Sequence, residues 1–96
     1  MALVFEWDSR KAAANQRKHK VSFDEACTVF DDSLARIFPD EDHSDSEQRE
    51  IIIGQSVLRR LVMVSFLERI TGRVRIISAR LATRWEHRDY EENLHS

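Results

Sequence analysis

At 96 residues, with 33% charged and 42% apolar side chains, the chain is long enough for one modest core and reads as a single domain over residues 1–96. It has no apolar run of membrane-spanning length and no basic-then-apolar start like a secretory signal. Its single cysteine, Cys27, rules out an internal disulfide and a multi-cysteine zinc site, so a cytoplasmic protein is the default expectation. The net charge of −2 hides a segregation: residues 8–20 carry +4, 31–50 carry −6 and 59–88 carry +6. If the two basic stretches meet in space they make a polarised surface; the plainer alternative is a solvated arginine face.

Residues 2–7 read as a short strand. Asp8 is a good N-cap for a helix that carries Ala12, Ala13 and Ala14 and runs to Lys18 or His19. Lys11, Asn15, Lys18 and His19 share one of its faces. Ser22 with Glu25 forms a capping box for a second helix, in which Phe23, Ala26, Cys27 and Phe30 follow the i, i+3, i+4, i+7 pattern of a buried face. Cys27 is read as a core thiol, not a nucleophile. Ala35 to Phe38 suits a short strand ended by Pro39. Residues 40–47 are acidic, lack apolar anchors and read as a loop.

Three segments have the clearest strand character: Glu50–Gly54, Arg60–Leu67 and Arg73–Ala79, with Thr71-Gly72 marking the turn between the last two. Short turns make them an antiparallel meander. Regular alternation puts Val74, Ile76, Ser78 and Arg80 on one side of the last strand, and Arg73, Arg75, Ile77 and Ala79 on the other. A final helix is expected from Leu81 to Asn93, stacking Ala82, Glu86 and Tyr90 beside an apolar stripe of Leu81 and Trp85. The expected fold is α+β: an antiparallel sheet of three main strands plus the N-terminal strand, with the helices packed on one face. The stretch from Arg73 to Asn93 gathers Arg75, Arg80, Arg84, Arg88, Glu86, His87 and Tyr90, the side-chain types that phosphodiester chemistry uses.

Several chemistries lack support. With only Gly54 and Gly72 there is neither a phosphate-binding glycine loop nor a nucleophile elbow. Asp40, Asp42 and Ser44 alternate as in an EF-hand, but the turn glycine is missing and Ile51 stands at the twelfth position. A solvated loop is the better account of His43 among these acids, and no metal or other cofactor is expected.

The segments FEWDSRKAAANQRKHKVSF and RIISARLATRWEHRDYEE together resemble the BrnT family, small ribonuclease toxins of bacterial type II toxin–antitoxin modules with a RelE-like fold. The resemblance rests on Phe5, Trp7 and Asp8; on Asn15, Lys18, His19, Val21, Ser22 and Phe23; on Glu47, Arg49, Ile53 and Gly54; and on Arg75 through Arg80 with Ala82, Thr83, Glu86 and Tyr90. It spans nearly the whole chain, in order. Lys20 departs from the pattern, which usually has Gly after the Lys-His pair, and Leu58-Arg59-Arg60 replaces a Gly-containing turn.

The resemblance implies an endoribonuclease that inhibits translation and growth. A BrnA-like antitoxin would neutralise it, and the pair would bind operator DNA through the antitoxin. Metal-independent cleavage by the 2′-hydroxyl needs a base, cations on the phosphorane and an acid for the leaving oxygen. Arg80 and Arg49 are expected near the scissile phosphate. Arg80 would be freed to turn there by a strand ending at Ala79. Arg75, Arg84, Arg88 and Lys11 are expected to bind RNA. His19, or Lys18 beside it, is the candidate base or acid, though His19 also fits a cap at the negative end of a helix dipole. Glu86 is a base, the partner that orients an Arg or His, or simply a residue that holds the last helix on the sheet; Tyr90 either donates a proton or stacks on a base. Asn15 leans to a structural role, and Trp7 and Trp85 to the core. The alternatives are a non-catalytic nucleic-acid-binding module and a protein-binding domain, each using the same Arg-rich face.

Overall fold

The computed structural model describes residues 3–41 and 48–94. In order the elements are β1 (Val4–Glu6), α1 (Ser9–His19), α2 (Phe23–Thr28), a 3-10 turn (Val29–Asp31), β2 (Arg36–Pro39), β3 (Glu50–Gln55), β4 (Leu61–Ile70), β5 (Arg73–Leu81) and α3 (Arg84–Leu94). The first helix starts where expected because the Asp8 carboxylate accepts the Arg10 and Lys11 N–H groups at 2.8 and 3.2 Å. It ends at Lys20, whose φ of 59° is left-handed. Glycine takes this conformation at no steric cost, which is a physical reason for the usual Gly at this position; Lys20 adopts it with strain. At α2 the capping box is half made. Ser22 Oγ accepts the Glu25 N–H, but the Glu25 carboxylate turns inward to Arg60 and to the Ser56 hydroxyl.

The strands form one five-stranded sheet in the order β1-β5-β4-β3-β2. The meander β3-β4-β5 is antiparallel, with β2 added antiparallel at one edge, where Pro39 lacks an N–H to donate. The expected all-antiparallel sheet is corrected at β1, which runs parallel to β5 with Phe5 opposite Val74. The helices after β1 carry the chain on to the far end of the sheet, where β2 starts level with Arg80 and runs back; three antiparallel reversals later β5 points the same way as β1.

Packing on a single face is also corrected. One face presents Ile52, Val62, Val64, Phe66, Val74, Ile76 and Ala79, and α1 and α2 cover it with Val21, Phe23 and Ala26. Phe5, Phe30 and Phe66 stack in series there, with ring centroids 5.1 and 5.0 Å apart. The opposite face carries Ile53, Leu61 and Met63, and Tyr90 of α3 packs on them with Ala82. The last helix thus crosses the other side of the sheet at one end and leaves the rest of that face open. Trp85 is 72% exposed and lies outside the core, unlike Trp7, which packs edge-on against Phe23. Cys27 is half-buried and burial pushes its thiol up to about 11, so it is not poised as a nucleophile.

The last helix begins at Arg84, not Leu81. Thr83 and Glu86 form a complete capping box: Glu86 Oε1 accepts the Thr83 N–H at 2.7 Å and Thr83 Oγ1 accepts the Glu86 N–H at 3.2 Å. Leu81 still belongs to the strand. Among the described residues no helix is long and apolar enough to cross a membrane. His43 and Glu47, with most of the acidic loop and its EF-hand-like spacing, and His95 lie outside the described residues.

Candidate active site

The open sheet face is a run of cross-strand rows. Arg80 lies opposite Met63, Met63 opposite Ile53, and Ile53 opposite Arg36. The next row is Ser78, Ser65, Ile51 and Phe38. Arg80 reaches this face by a route the regular alternation missed. The strand does not end at Ala79. Instead Ser65 pairs with Ser78 and Phe66 with Ile76, so Ile77 is an extra residue in β5. This bulge reverses the parity of every residue after it. Ala79 therefore joins Val74 and Ile76 on the helix-covered face, and Ser78 and Arg80 join Arg73 and Arg75 on the open one.

The end of α1 is held against this strand by Asn15, which is 7% exposed. Its Nδ2 donates to the Ala79 carbonyl at 2.8 Å and the Val21 carbonyl at 3.0 Å; its Oδ1 accepts the Ala79 N–H at 3.1 Å. Because β1 covers β5 only at Arg73–Arg75, the amide takes the place of a missing strand further along. His19 lies one helical turn beyond Asn15 and Arg80 lies next to Ala79, so the same contact sets them beside each other.

His19, Arg49 and Arg80 line one groove of about 310 Å³, with Asp40, Ser65 and Ser78 around them. Arg80 is held by a two-pronged pair with Glu86, at 2.8 and 2.9 Å, and also donates to the Leu81 carbonyl. The Arg80 guanidinium, with help from the Thr83 N–H, outweighs burial and holds the Glu86 carboxyl down at about 2. Such an acid is a weak base, which suits orienting an arginine better than taking a proton.

Tyr90 is 4% exposed and donates to Asp32 Oδ2 at 2.6 Å. Burial first, then Asp32, raises its hydroxyl to about 12. Asp32 also accepts the N–H groups of Gln55 and Leu34. Burial pushes its carboxyl up, but the Tyr90 hydroxyl and these two N–H groups more than offset that and hold it below its ordinary value. Gly54 permits the arrangement, since a Cβ there would meet Ala35 Cβ and Asp32 Oδ2 at 2.9 Å.

The other sequence candidates are not in the groove: Glu86 and Tyr90 line a neighbouring hollow between β2 and α3. Lys11 and Lys18 are exposed on α1. Arg75 pairs with Glu6 at 3.6 Å and lines a separate hollow with Arg73 and Leu67. Arg84 and Arg88 are exposed on α3, and Arg88 stacks on the Trp85 ring at 5.0 Å. Ser65 and Ser78 line the groove without having been singled out, and so does Asp40, weighed above only for a metal loop; Ser65 interrupts an apolar run, which is a signal in the sequence. Among the described residues no three His, Cys, Asp or Glu side chains gather into a possible metal site.

In this small α+β protein an imidazole from the end of α1 and guanidiniums from β5 and from the residue before β3 converge on one groove. Residues 7–86 match the model of the family described as the ribonuclease toxin, BrnT, of type II toxin–antitoxin systems, and the chain belongs to that family. Its fold is similar to the crystal structure of the Brucella abortus ribonuclease toxin, BrnT, at 23% identity and a TM-score of 0.64, covering 88% of this chain and 99% of that one. No curated protein matches the chain.

Proposed function

We propose that this toxin cleaves RNA without a metal ion, by attack of a ribose 2′-hydroxyl on the adjacent phosphate. The observation that carries the reading is the convergence of His19, Arg49 and Arg80 on one groove. Arg80, held in line by Glu86, and Arg49 neutralise the phosphate as it becomes a dianionic phosphorane. His19 takes the 2′-proton, as the imidazole that lines the groove beside Arg80. The 2′-oxygen bonds phosphorus, the bond from phosphorus to the 5′-oxygen breaks, and that oxygen takes a proton from water. The products are a 2′,3′-cyclic phosphate and a 5′-hydroxyl. In this reading Glu86 orients Arg80, Tyr90 fastens α3, and Lys11, Lys18, Arg75, Arg84 and Arg88 attract the RNA backbone from outside the groove. Cleavage inhibits translation and growth. A BrnA-like antitoxin neutralises the activity and carries the operator-DNA contact of the pair.

The test is a cleavage assay on end-labelled single-stranded RNA in EDTA, comparing wild type with Arg80→Ala. Cyclic-phosphate ends from wild type, and a loss of about 100-fold or more in the variant, are expected. Salt-sensitive RNA binding without cleavage would favour the non-catalytic binding module, and neither binding nor cleavage would favour the protein-binding domain.

A further inference from the structure

Beside the groove lies a second hollow, of about 290 Å³, between the edge strand β2 and α3. That is near the lower limit, roughly 300 Å³, of small-ligand sites. Resting on the RNA-cleavage reading above, we propose that this hollow is a subsite for one unpaired nucleobase next to the cleaved phosphodiester.

The floor is Ile53 and Met63, and the Phe38 side chain forms one wall. Its rim is charged on both sides: Arg36 and Asp89 pair across it at 3.2 Å. A flat heterocycle with an apolar face and polar edges fits such a lining. The face stacks on the aromatic ring, and the edges meet guanidinium donors and carboxylate acceptors.

Position selects the occupant. Met63 is shared between the hollow and the groove and stands directly opposite Arg80. Met63 is one interstrand step from Arg80, Ile53 two, and Phe38 on β2 three, about 14 Å at about 4.8 Å a step. The long Arg80 side chain covers the first part of that span, and the ribose and base of one nucleotide cover the rest. On the other side of Arg80 the way is closed by the end of α1, where Asn15 is bonded to Ala79. A strand whose phosphate sits at Arg80 is thus directed with one base towards β3 and β2. The two ends of the face divide the work as a nucleotide divides its chemistry: cations and hydroxyls at Arg80, Ser78 and Ser65, hydrocarbon and an aromatic ring at Met63, Ile53 and Phe38.

The test uses a short single-stranded RNA with a mapped cleavage position and versions with an abasic ribose on either side of it. With wild type, loss of the base on one side should lower kcat/KM about tenfold, as for one base–aromatic stack. Phe38→Ala should lower it by a similar factor on intact RNA and add nothing on the abasic RNA, whereas Phe38→Tyr, which keeps the ring, should preserve the rate. Phe38 is 39% exposed on an edge strand, so these changes leave the core intact. Equal slowing of Phe38→Ala on both RNAs, or no slowing on either, overturns the subsite. So does a Phe38→Ala variant that cuts normally but no longer binds its antitoxin, because the hollow would then belong to the protein partner. Wild type that cuts none of the RNAs removes the parent reading, and this inference with it.

Discussion

The substitution Asn15→Ala tests the contact that places His19 beside Arg80. The change removes three hydrogen bonds from a site that is 7% exposed, and leaves the Ala79 N–H and the carbonyls of Ala79 and Val21 without this partner. Each buried group stranded in this way costs roughly 1–3 kcal/mol. Water admitted at the open edge of β5 relieves part of that, so the sum is set at about 3 kcal/mol, against a total stability of roughly 5–15 kcal/mol. For a domain of this size the melting temperature should fall by about 12–24 °C. Asn15→Asp sharpens the test. It keeps the shape and the acceptor for the Ala79 N–H, but sets a carboxylate against two carbonyls, and should be as damaging as Asn15→Ala. Urea unfolding followed by circular dichroism measures both, with an unchanged m-value confirming that stability and not compactness has moved. Where the variants remain folded, RNA cleavage should fall further than the folded fraction does, because the end of α1 no longer holds its place against β5. A loss under about 1 kcal/mol in both variants would refute the surrogate-strand account.

Other outcomes follow from the same geometry. Tyr90→Phe removes a charge-assisted bond that Asp32 partly replaces with its two backbone donors; stability should drop by about 1–1.5 kcal/mol in thermal melts, while cleavage at a permissive temperature stays within about twofold of wild type. A 100-fold loss of activity without a change in melting temperature would instead make the hydroxyl catalytic. Lys20→Gly relieves the left-handed φ of 59° and should raise the melting temperature by several degrees, corresponding to roughly 0.5–1 kcal/mol. The Glu86 carboxyl, ordinarily near 4.5, sits at about 2. Its contribution to stability is therefore complete above about pH 4.5 and is lost as pH falls through 2. Urea midpoints at pH 5, 3 and 2 should show a decline across this window that is smaller in Glu86→Gln. Gly54→Ala forces a methyl against Ala35 and Asp32 and should cost about 1–3 kcal/mol, read from the same unfolding curves.

Local chemistry made much of the fold legible. Asp8 marks the start of α1, Ser22 that of α2, and Thr71-Gly72 the β4–β5 turn, where Gly72 has a φ of 85°. What escaped depends on residues far apart. Nothing in Val4–Glu6 says that its neighbour is Arg73–Arg75, or that it runs parallel to it. The side taken by α3 left a trace: Ile51-Ile52-Ile53 and Leu61-Val62-Met63-Val64 are continuous apolar runs, the pattern of strands covered on both faces. The true start of α3 is written as Thr83-Arg84-Trp85-Glu86, a capping-box spacing as clear as that at Ser22. For the site, Arg49, Arg80 and His19 were identified by residue type and by resemblance, and they line one groove. The bulge at Ile77 has no marker in sequence. Without it the alternation argument places Arg80 on the wrong face, so residue types that share a groove were readable where their orientation was not. Lys18 differs from His19 only in facing solvent, a matter of about 100° of helical rotation.

The sheet also sets an order of assembly during synthesis. A chain emerges from the ribosome N-terminus first, and Asn15 is made 64 residues before the strand residue it holds. β1, at one edge, must wait for β5, and β5 needs β4 as a template between itself and β3. Arg80 and its partner Glu86 come later still. A nascent chain carrying α1, α2 and even β3 therefore holds an imidazole but no groove. The groove takes shape only late, when β5 closes against α1 and brings Arg80 to His19. The site proposed above is therefore incomplete until nearly all of residues 1–86 have been translated.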